Sequence, residues 1–137
     1  GLGFVPRKVS FGVSQIKKGL TNELRMGNLE SKRDWGYAPE YVEAMWMMLQ
    51  RPDPDDYVFG TGHTHPVREL LEVAFNCVGL NWKDYVVVDD AFIRPAEVDQ
   101  LVADSSKARE ELGWVPKTDF STIVELMVKA DMEEGSS

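Results

Sequence analysis

The sequence predicts a mixed α/β domain built from a small sheet of short strands and four to five helices. Three observations carry that expectation. Apolar residues recur at helical spacing in several separate stretches, the apolar runs between them are too short for long strands, and proline and glycine punctuate the boundaries. At 137 residues, with 43% hydrophobic and 28% charged side chains, the chain has ordinary globular composition and the length of one domain with one core.

The elements follow in order. Pro6 suits a first helical position, and Val9, Val13 and Ile16 mark one face until Gly19 offers a left-handed stop, so a helix is predicted over 6–18. Leu24-Arg25-Met26 before Gly27-Asn28 reads as a short strand entering a turn. Pro39 opens a second helix ending near Arg51-Pro52, with Val42, Met45 and Leu49 as its buried stripe and Trp46 at the border. Tyr57-Val58-Phe59 reads as a buried strand. Pro66 starts a helix that carries Val67, Leu70, Leu71, Ala74 and Val78 and stops at Gly79, and Tyr85-Val86-Val87-Val88 is the clearest strand. Ser105 or Ser106 caps a short helix ending at Leu112-Gly113, and Asp119 caps a last one bearing Ile123, Val124, Met127 and Ala130 before a frayed Gly135-Ser136-Ser137. Of these helices the first is expected to be the least completely covered.

Fifteen basic against twenty-three acidic residues leave a net charge of −8, which opposes nonspecific attraction to nucleic acid or an anionic membrane. A phosphate ligand would have to be held by a few positioned cations. No apolar run is long enough to span a bilayer and the first residues lack a signal-peptide pattern, so a soluble, cytoplasmic protein is expected. The single Cys77 cannot form an internal disulfide and is expected to fill core.

Three segments hold cations in unusual settings. In Gly27-Asn28-Leu29-Glu30-Ser31-Lys32-Arg33-Asp34-Trp35-Gly36, backbone freed by Gly27 can approach a base edge while the Arg33 guanidinium forks onto phosphate; the plainer reading is an Arg33–Asp34 surface pair with Trp35 in the core. In Ile93-Arg94-Pro95-Ala96-Glu97, proline stiffens the chain after Arg94, and Glu97 can accept from ribose hydroxyls; a surface Arg–Glu pair is the plainer alternative. Arg7 and Lys8 stand in the first turn of helix one, where cations oppose the helix dipole unless something negative answers them; a bound phosphate or nucleotide would be such an answer, and a solvated basic turn is the plainer reading. His63 and His65 lack partners at ligand spacing and read as a loop leading into Pro66, while Asp53, Asp55 and Asp56 read as solvated turn acids. No G-x-G-x-x-G, G-K-[ST] or G-x-S-x-G motif occurs.

Taken together, Phe4-Val5-Pro6-Arg7-Lys8-Val9, Gly27-Asn28-Leu29, Arg33-Asp34-Trp35-Gly36, Tyr41-Val42-Glu43-Ala44-Met45-Trp46, Pro54-Asp55-Asp56-Tyr57-Val58, Arg94-Pro95-Ala96-Glu97-Val98-Asp99 and Leu112-Gly113-Trp114-Val115-Pro116-Lys117 resemble segments of GDP-mannose 4,6-dehydratases, in order and at similar spacing. It departs at Pro6, where the family usually has Thr, and at Ala91-Phe92-Ile93, where it usually has an Arg-Tyr-Phe run. The resemblance implies the substrate domain of an extended short-chain dehydrogenase/reductase over residues 1–137, with the Rossmann half, its NADP and the Tyr-x-x-x-Lys and other catalytic groups outside this sequence. The complete enzyme would turn GDP-mannose into GDP-4-keto-6-deoxymannose, and this chain alone would be inactive. Carried over by motif, substrate contacts fall on Val5, Lys8, Arg25, Met26, Gly27, Asn28, Arg33, Arg94 and Glu97. The implied partners are GDP-mannose or GDP, with a separate Rossmann half or self-association. The alternative is a truncated, non-catalytic GDP-sugar-binding or protein-interaction module.

Overall fold

A computed structural model of the chain describes residues 5–93 and 104–134. The expected class holds: these residues form five α-helices and four short strands, arranged as two two-stranded sheets. They divide into two compact units, one of residues 5–31, 66–93 and 124–134 and the other of 32–65 and 104–123. Each has its own core, where length and composition led us to expect one.

The first unit is built around two parallel strands. Helix α1, Val5–Lys17, turns its Val9, Val13 and Ile16 inward and is followed by β1, Leu24–Met26. Much of the chain then intervenes, including α3, Val67–Asn76, before β4, Val86–Val88, pairs with β1 in the register Leu24↔Val86, Arg25↔Val87, Met26↔Val88. A parallel pair needs such a crossover, and an amphipathic helix is the usual means. α1 packs on α3 and on β1. Val67, Leu70, Leu71, Ala74 and Phe75 of α3 are buried with the α1 stripe, and the Phe75 ring stacks on Tyr85 at 5.7 Å. The last helix, α5, Phe120–Glu133, adds Val124 and Val128 to this core. Its cap is as expected, with Thr122 N–H donating to the Asp119 carboxylate at 2.8 Å. Its face is as expected at the buried Ile123 and Val124 and departs further on, where Val128 is buried and Ala130 is exposed.

The second unit is organised by Trp114. Helix α4, Ser106–Leu112, ends in Gly113 at φ 73°, a left-handed residue that lets Gly113 N–H reach Arg109 O and Trp114 N–H reach Ala108 O. The chain is thereby turned so that the Trp114 indole is buried against Ala44 and Ala108. Its Nε1–H donates to Glu40 O at 2.8 Å, and Tyr41 and Phe59 pack on its ring. The Glu40 side chain accepts from the backbone N–H groups of Lys117 and Thr118. Burial alone would raise its carboxyl, but hydrogen bonds from Thr118 and Lys117 hold it below its ordinary value. Strand β2, Lys32–Arg33, forms the second small sheet with β3, His65–Pro66.

Four expectations are corrected here. Helix α2, Ala38–Leu49, buries Ala44, and the predicted stripe of Val42, Met45 and Leu49, with Trp46, faces outward. The helix is apolar nearly all round, so periodicity could not choose its inner face; Trp114 chose it by claiming the small Ala44. Hence α2, rather than the well-buried α1, is the helix left uncovered. Residues 57–59 join no ladder, because their rings serve other contacts: Tyr57 stacks on Phe59, Phe59 meets Trp114 edge-on at 5.1 Å, and the following Gly60 N–H donates to Ser105 Oγ. Cys77 is exposed, with Sγ donating back to Val73 O at 3.1 Å; partial desolvation, with the charge of Glu125, pushes the thiol pKa up, which disfavours the thiolate.

The assignment of faces has a direct thermodynamic consequence. Leu70→Ala, at a residue with 1% exposure, is expected to cost about 2–5 kcal/mol in urea unfolding, whereas Leu49→Ala, at 77% exposure, should stay within about 0.5 kcal/mol. Similar costs for the two would contradict the outward stripe on α2.

Candidate functional site

Because β1 and β4 run parallel and in register, their carboxy-terminal ends leave the sheet at one edge. Loops emerging there have backbone groups free of the ladder, which is why ligands favour that edge in α/β folds. After β1 come Gly27 and Asn28; after β4 comes Asp89 and a 3-10 turn, Asp90–Phe92. The two exits are tied together, since Asp89 N–H donates to Met26 O at 2.8 Å.

Asp89 does two further things. Its carboxylate accepts from Ala91 N–H at 2.9 Å, capping the turn, and from Arg25 NH1 at 2.9 Å. Those bonds, the one from Ala91 first, hold its carboxyl below the usual range. Arg25 also donates Nε to Glu23 at 2.8 Å, so this expected substrate contact is engaged by two acids of its own fold. The buried Met26 side chain belongs to the core and its carbonyl is taken up by Asp89 N–H, which leaves the backbone beyond it at the edge.

The turn delivers Phe92 against Gly27. A Cβ at position 27 would sit 2.4 Å from the Phe92 carbonyl oxygen, closer than any side chain tolerates, so glycine is required there. The Phe92 ring is half exposed, and Lys8 Nζ stands 4.4 Å from its centroid. At that separation the ammonium is attracted by the ring face. Lys8, Gly27 and Phe92 thus form one constellation, drawn from α1, the exit of β1 and the exit of β4. Val5, half-buried, lies one turn before Lys8 on α1.

The loop that follows is organised in advance. Asn28 Oδ1 accepts from Glu30 N–H at 3.0 Å, Arg68 N–H donates to Leu29 O at 2.8 Å, and Arg68 Nε meets Glu30 at 3.0 Å. A loop fixed by its own hydrogen bonds loses little freedom on meeting a ligand.

The negative answer to Arg7 comes from the protein itself. Its guanidinium pairs with Asp131, which is buried, and reaches Glu134 at 3.4 Å. Of the two first-turn cations, only Lys8 is aimed at the strand edge. Arg33 lies on β2 in the second unit, where NH1 donates to Lys32 O at 2.7 Å. Its neighbour Asp34 accepts from Thr61 N–H, Thr61 Oγ1 and Gly62 N–H, and Trp35 is buried with its ring 6.0 Å from Phe120. Arg94 and Glu97 lie outside the described residues. Among the described residues no group of three or more His, Cys, Asp or Glu could hold a metal ion, and His65 stacks on Phe120 at 3.9 Å.

Sequence reasoning singles out Lys8 and Gly27, which the structure brings together on Phe92, and does not mark Phe92, Asp89 or Asp131. Asp89 was legible, as an aspartate following a strand can cap a turn. Phe92 had no local pattern to mark it, and Asp131 meets its partner from the other end of the chain.

An exposed ring, an ammonium and a glycine-bordered backbone edge form a site suited to a planar, anionic ligand. The family model for GDP-mannose 4,6 dehydratase matches residues 1–127. The chain is 52% identical to GDP-mannose 4,6 dehydratase 1 of Arabidopsis thaliana, 97% of this chain against 37% of that protein. It is 42% identical to the GDP-mannose 4,6 dehydratase of Homo sapiens, again over 97% of this chain and 40% of that protein. It therefore spans about two fifths or less of these relatives. Among solved structures, RMD from Pseudomonas aeruginosa complexed with NADPH matches with a TM-score of 0.85 at 19% identity, covering 96% of this chain and 43% of that one. The dTDP-glucose 4,6-dehydratase of Bacillus anthracis in complex with NAD matches with a TM-score of 0.75 at 19% identity, covering 88% of this chain and 37% of that one.

Two outcomes test the geometry. Above about pH 4 the ionised Asp89 contributes stability, and that contribution is lost as pH falls through its lowered folded value. An NMR titration should give Asp89 a midpoint below an ordinary aspartate, moving upward in Arg25→Ala; an ordinary midpoint in both would contradict the clamp. Gly27→Ala should destabilise by about 1–3 kcal/mol, because the Phe92 carbonyl must move to admit the methyl group. An unchanged melting temperature would show that the exits of β1 and β4 are not in contact.

Proposed function

Since this chain belongs to the GDP-mannose 4,6-dehydratase family, we propose that it is the carboxy-terminal, substrate-binding part of such an enzyme, holding the nucleotide of GDP-mannose while chemistry is done by groups outside this sequence. In the complete enzyme GDP-mannose would become GDP-4-keto-6-deoxymannose. The observation that carries the reading is the meeting of Lys8 and Gly27 on Phe92 at the carboxy-terminal edge of the parallel strands. Lys8 supplies a point charge for phosphate, the exposed Phe92 ring a flat apolar surface, and the Gly27-Asn28 backbone an edge for a base. Val5, Arg25 and Met26 border that edge, while Arg33, Arg94 and Glu97 are proposed as further contacts on the family resemblance alone.

NADP is the cofactor proposed for the complete enzyme, and the described residues do not fit it. Neither parallel strand runs into a glycine-rich turn and a helix amino terminus, the arrangement that cradles a dinucleotide pyrophosphate; β1 leads through a loop to β2, and β4 leads into a three-residue turn.

One observation favours the alternative of a non-catalytic GDP-sugar-binding or interaction module. α2 leaves Val42, Met45, Trp46 and Leu49 exposed on successive turns, a stripe of the kind that marks a protein contact. The proposed partners are accordingly a separate Rossmann half or a second copy of the chain, with neither nucleic acid nor membrane. Among the described residues no helix is long and apolar enough to cross a membrane.

Calorimetry with GDP, against GMP and ADP, tests the reading. GDP should bind weakly and in preference to ADP, and Lys8→Ala should cost about 1.5–3 kcal/mol, roughly ten- to a hundredfold in affinity. Equal affinities for GDP and ADP, or an unaffected Lys8→Ala, would remove the nucleotide from this edge. With GDP-mannose and NADP the chain alone should form no 4-keto-6-deoxy product above a buffer blank; measurable product would show that it carries catalytic groups of its own.

A further inference from the structure

The constellation depends on the rotation of α1. Successive residues of an α-helix lie about 100° apart around its axis, so fixing the direction of Arg7 fixes that of Lys8. Arg7 is fixed by Asp131, a carboxylate on α5 whose side chain is 1% exposed. Ser10, one turn further along α1, donates to the same carboxylate at 2.5 Å, so two residues of one helical face grip a single buried group. At the far end of α1, Lys18 Nζ donates to Asp131 O at 3.2 Å and Glu134 O at 2.7 Å, which holds the helix along its length. An ion pair made to a buried carboxylate is a poor device for stability alone, because desolvating the carboxylate offsets much of the attraction. Its directionality is another matter, since an apolar pair would let α1 turn by some degrees without loss.

We propose that Asp131 is a positioning residue for the nucleotide site: acting through Arg7 and Ser10, it sets the rotation of α1 that holds Lys8 over Phe92, and so aims the ammonium at the ligand phosphate. This rests on the nucleotide-binding reading given above. It also explains why a helix begins with two adjacent cations. One is spent on the internal carboxylate, and its neighbour, a third of a turn away, is directed to the strand edge.

The inference has a readout that needs no ligand. The Lys8 ε-methylene protons, held near the Phe92 ring face, should resonate upfield of an unstructured lysine through the ring current. Asp131→Asn, which keeps the volume and removes the charge, should return them toward the unstructured value, and Asp131→Glu should recover part of the shift. The second readout is a double-mutant cycle with GDP. Asp131→Asn should weaken binding by about three- to tenfold alone and by less than about twofold when Lys8 is already alanine, the coupling expected of residues acting as one unit. Where Asp131→Asn melts too low to assay, Arg7→Gln carries the same tests. An unmoved Lys8 resonance in a folded variant overturns the proposal whether or not GDP binds. So does an Asp131→Asn penalty of equal size in both backgrounds, which marks a merely structural role. A Lys8 shift that moves as expected while GDP fails to bind supports the positioning and removes the nucleotide reading instead.

Discussion

Parallel pairing of two three-residue strands is the constraint on which the first unit rests. Leu24–Met26 and Val86–Val88 are sixty-two residues apart in register, and closing a loop of that length costs entropy that six paired residues cannot offset. The offset comes from the elements around them. α3, within the crossover, buries five apolar side chains, and α1 sends Val9, Val13 and Ile16 into the same core. At about 25 cal/mol for each Å² of apolar surface removed from water, such burial outweighs the hydrogen bonds of so short a ladder. The sheet is therefore an alignment device. It brings two chain exits to one edge, where Gly27 and the Phe92 carbonyl meet without room for a methyl group.

The second unit uses a different device. One left-handed glycine, Gly113, redirects the chain so that a tryptophan drops into the space left by two alanines, Ala44 and Ala108. The indole N–H is satisfied by Glu40 O, as a buried donor must be. Asp34 similarly gathers the Thr61 and Gly62 N–H groups that no strand partner takes up. Turn chemistry and side-chain acceptors thus do what an extended sheet would otherwise do.

What could be read from the sequence follows the range of the physics. α1, β1, α3, α4 and α5 were legible because proline starts, glycine stops and an aspartate cap are local signals, and the two parallel strands were found within a residue of their ends. Local signals failed where a distant residue decides. The inner face of α2 depends on Trp114, sixty-five residues after its last buried-stripe candidate, and the aromatic run at 57–59 is drawn into that same cluster. β2 and β3, at two residues each, are too short to leave a pattern. For the proposed site, Lys8 and Gly27 stood out by chemistry, whereas Arg7 was open to either a ligand or a solvated basic turn until Asp131 was seen beside it.

On the proposed reading, the edge formed by the exits of β1 and β4, with Lys8 above it, holds the nucleotide. Its most direct test is to map backbone amide shifts of the isotope-labelled chain as GDP is added. The amides that move are expected at 8–9, 26–29 and 89–93, with little change in the cleft of about 340 Å³ that Gly60, Thr61, Asp104 and Trp114 line in the second unit. Shifts concentrated in that cleft, or an unaltered strand edge at saturating GDP, would contradict it.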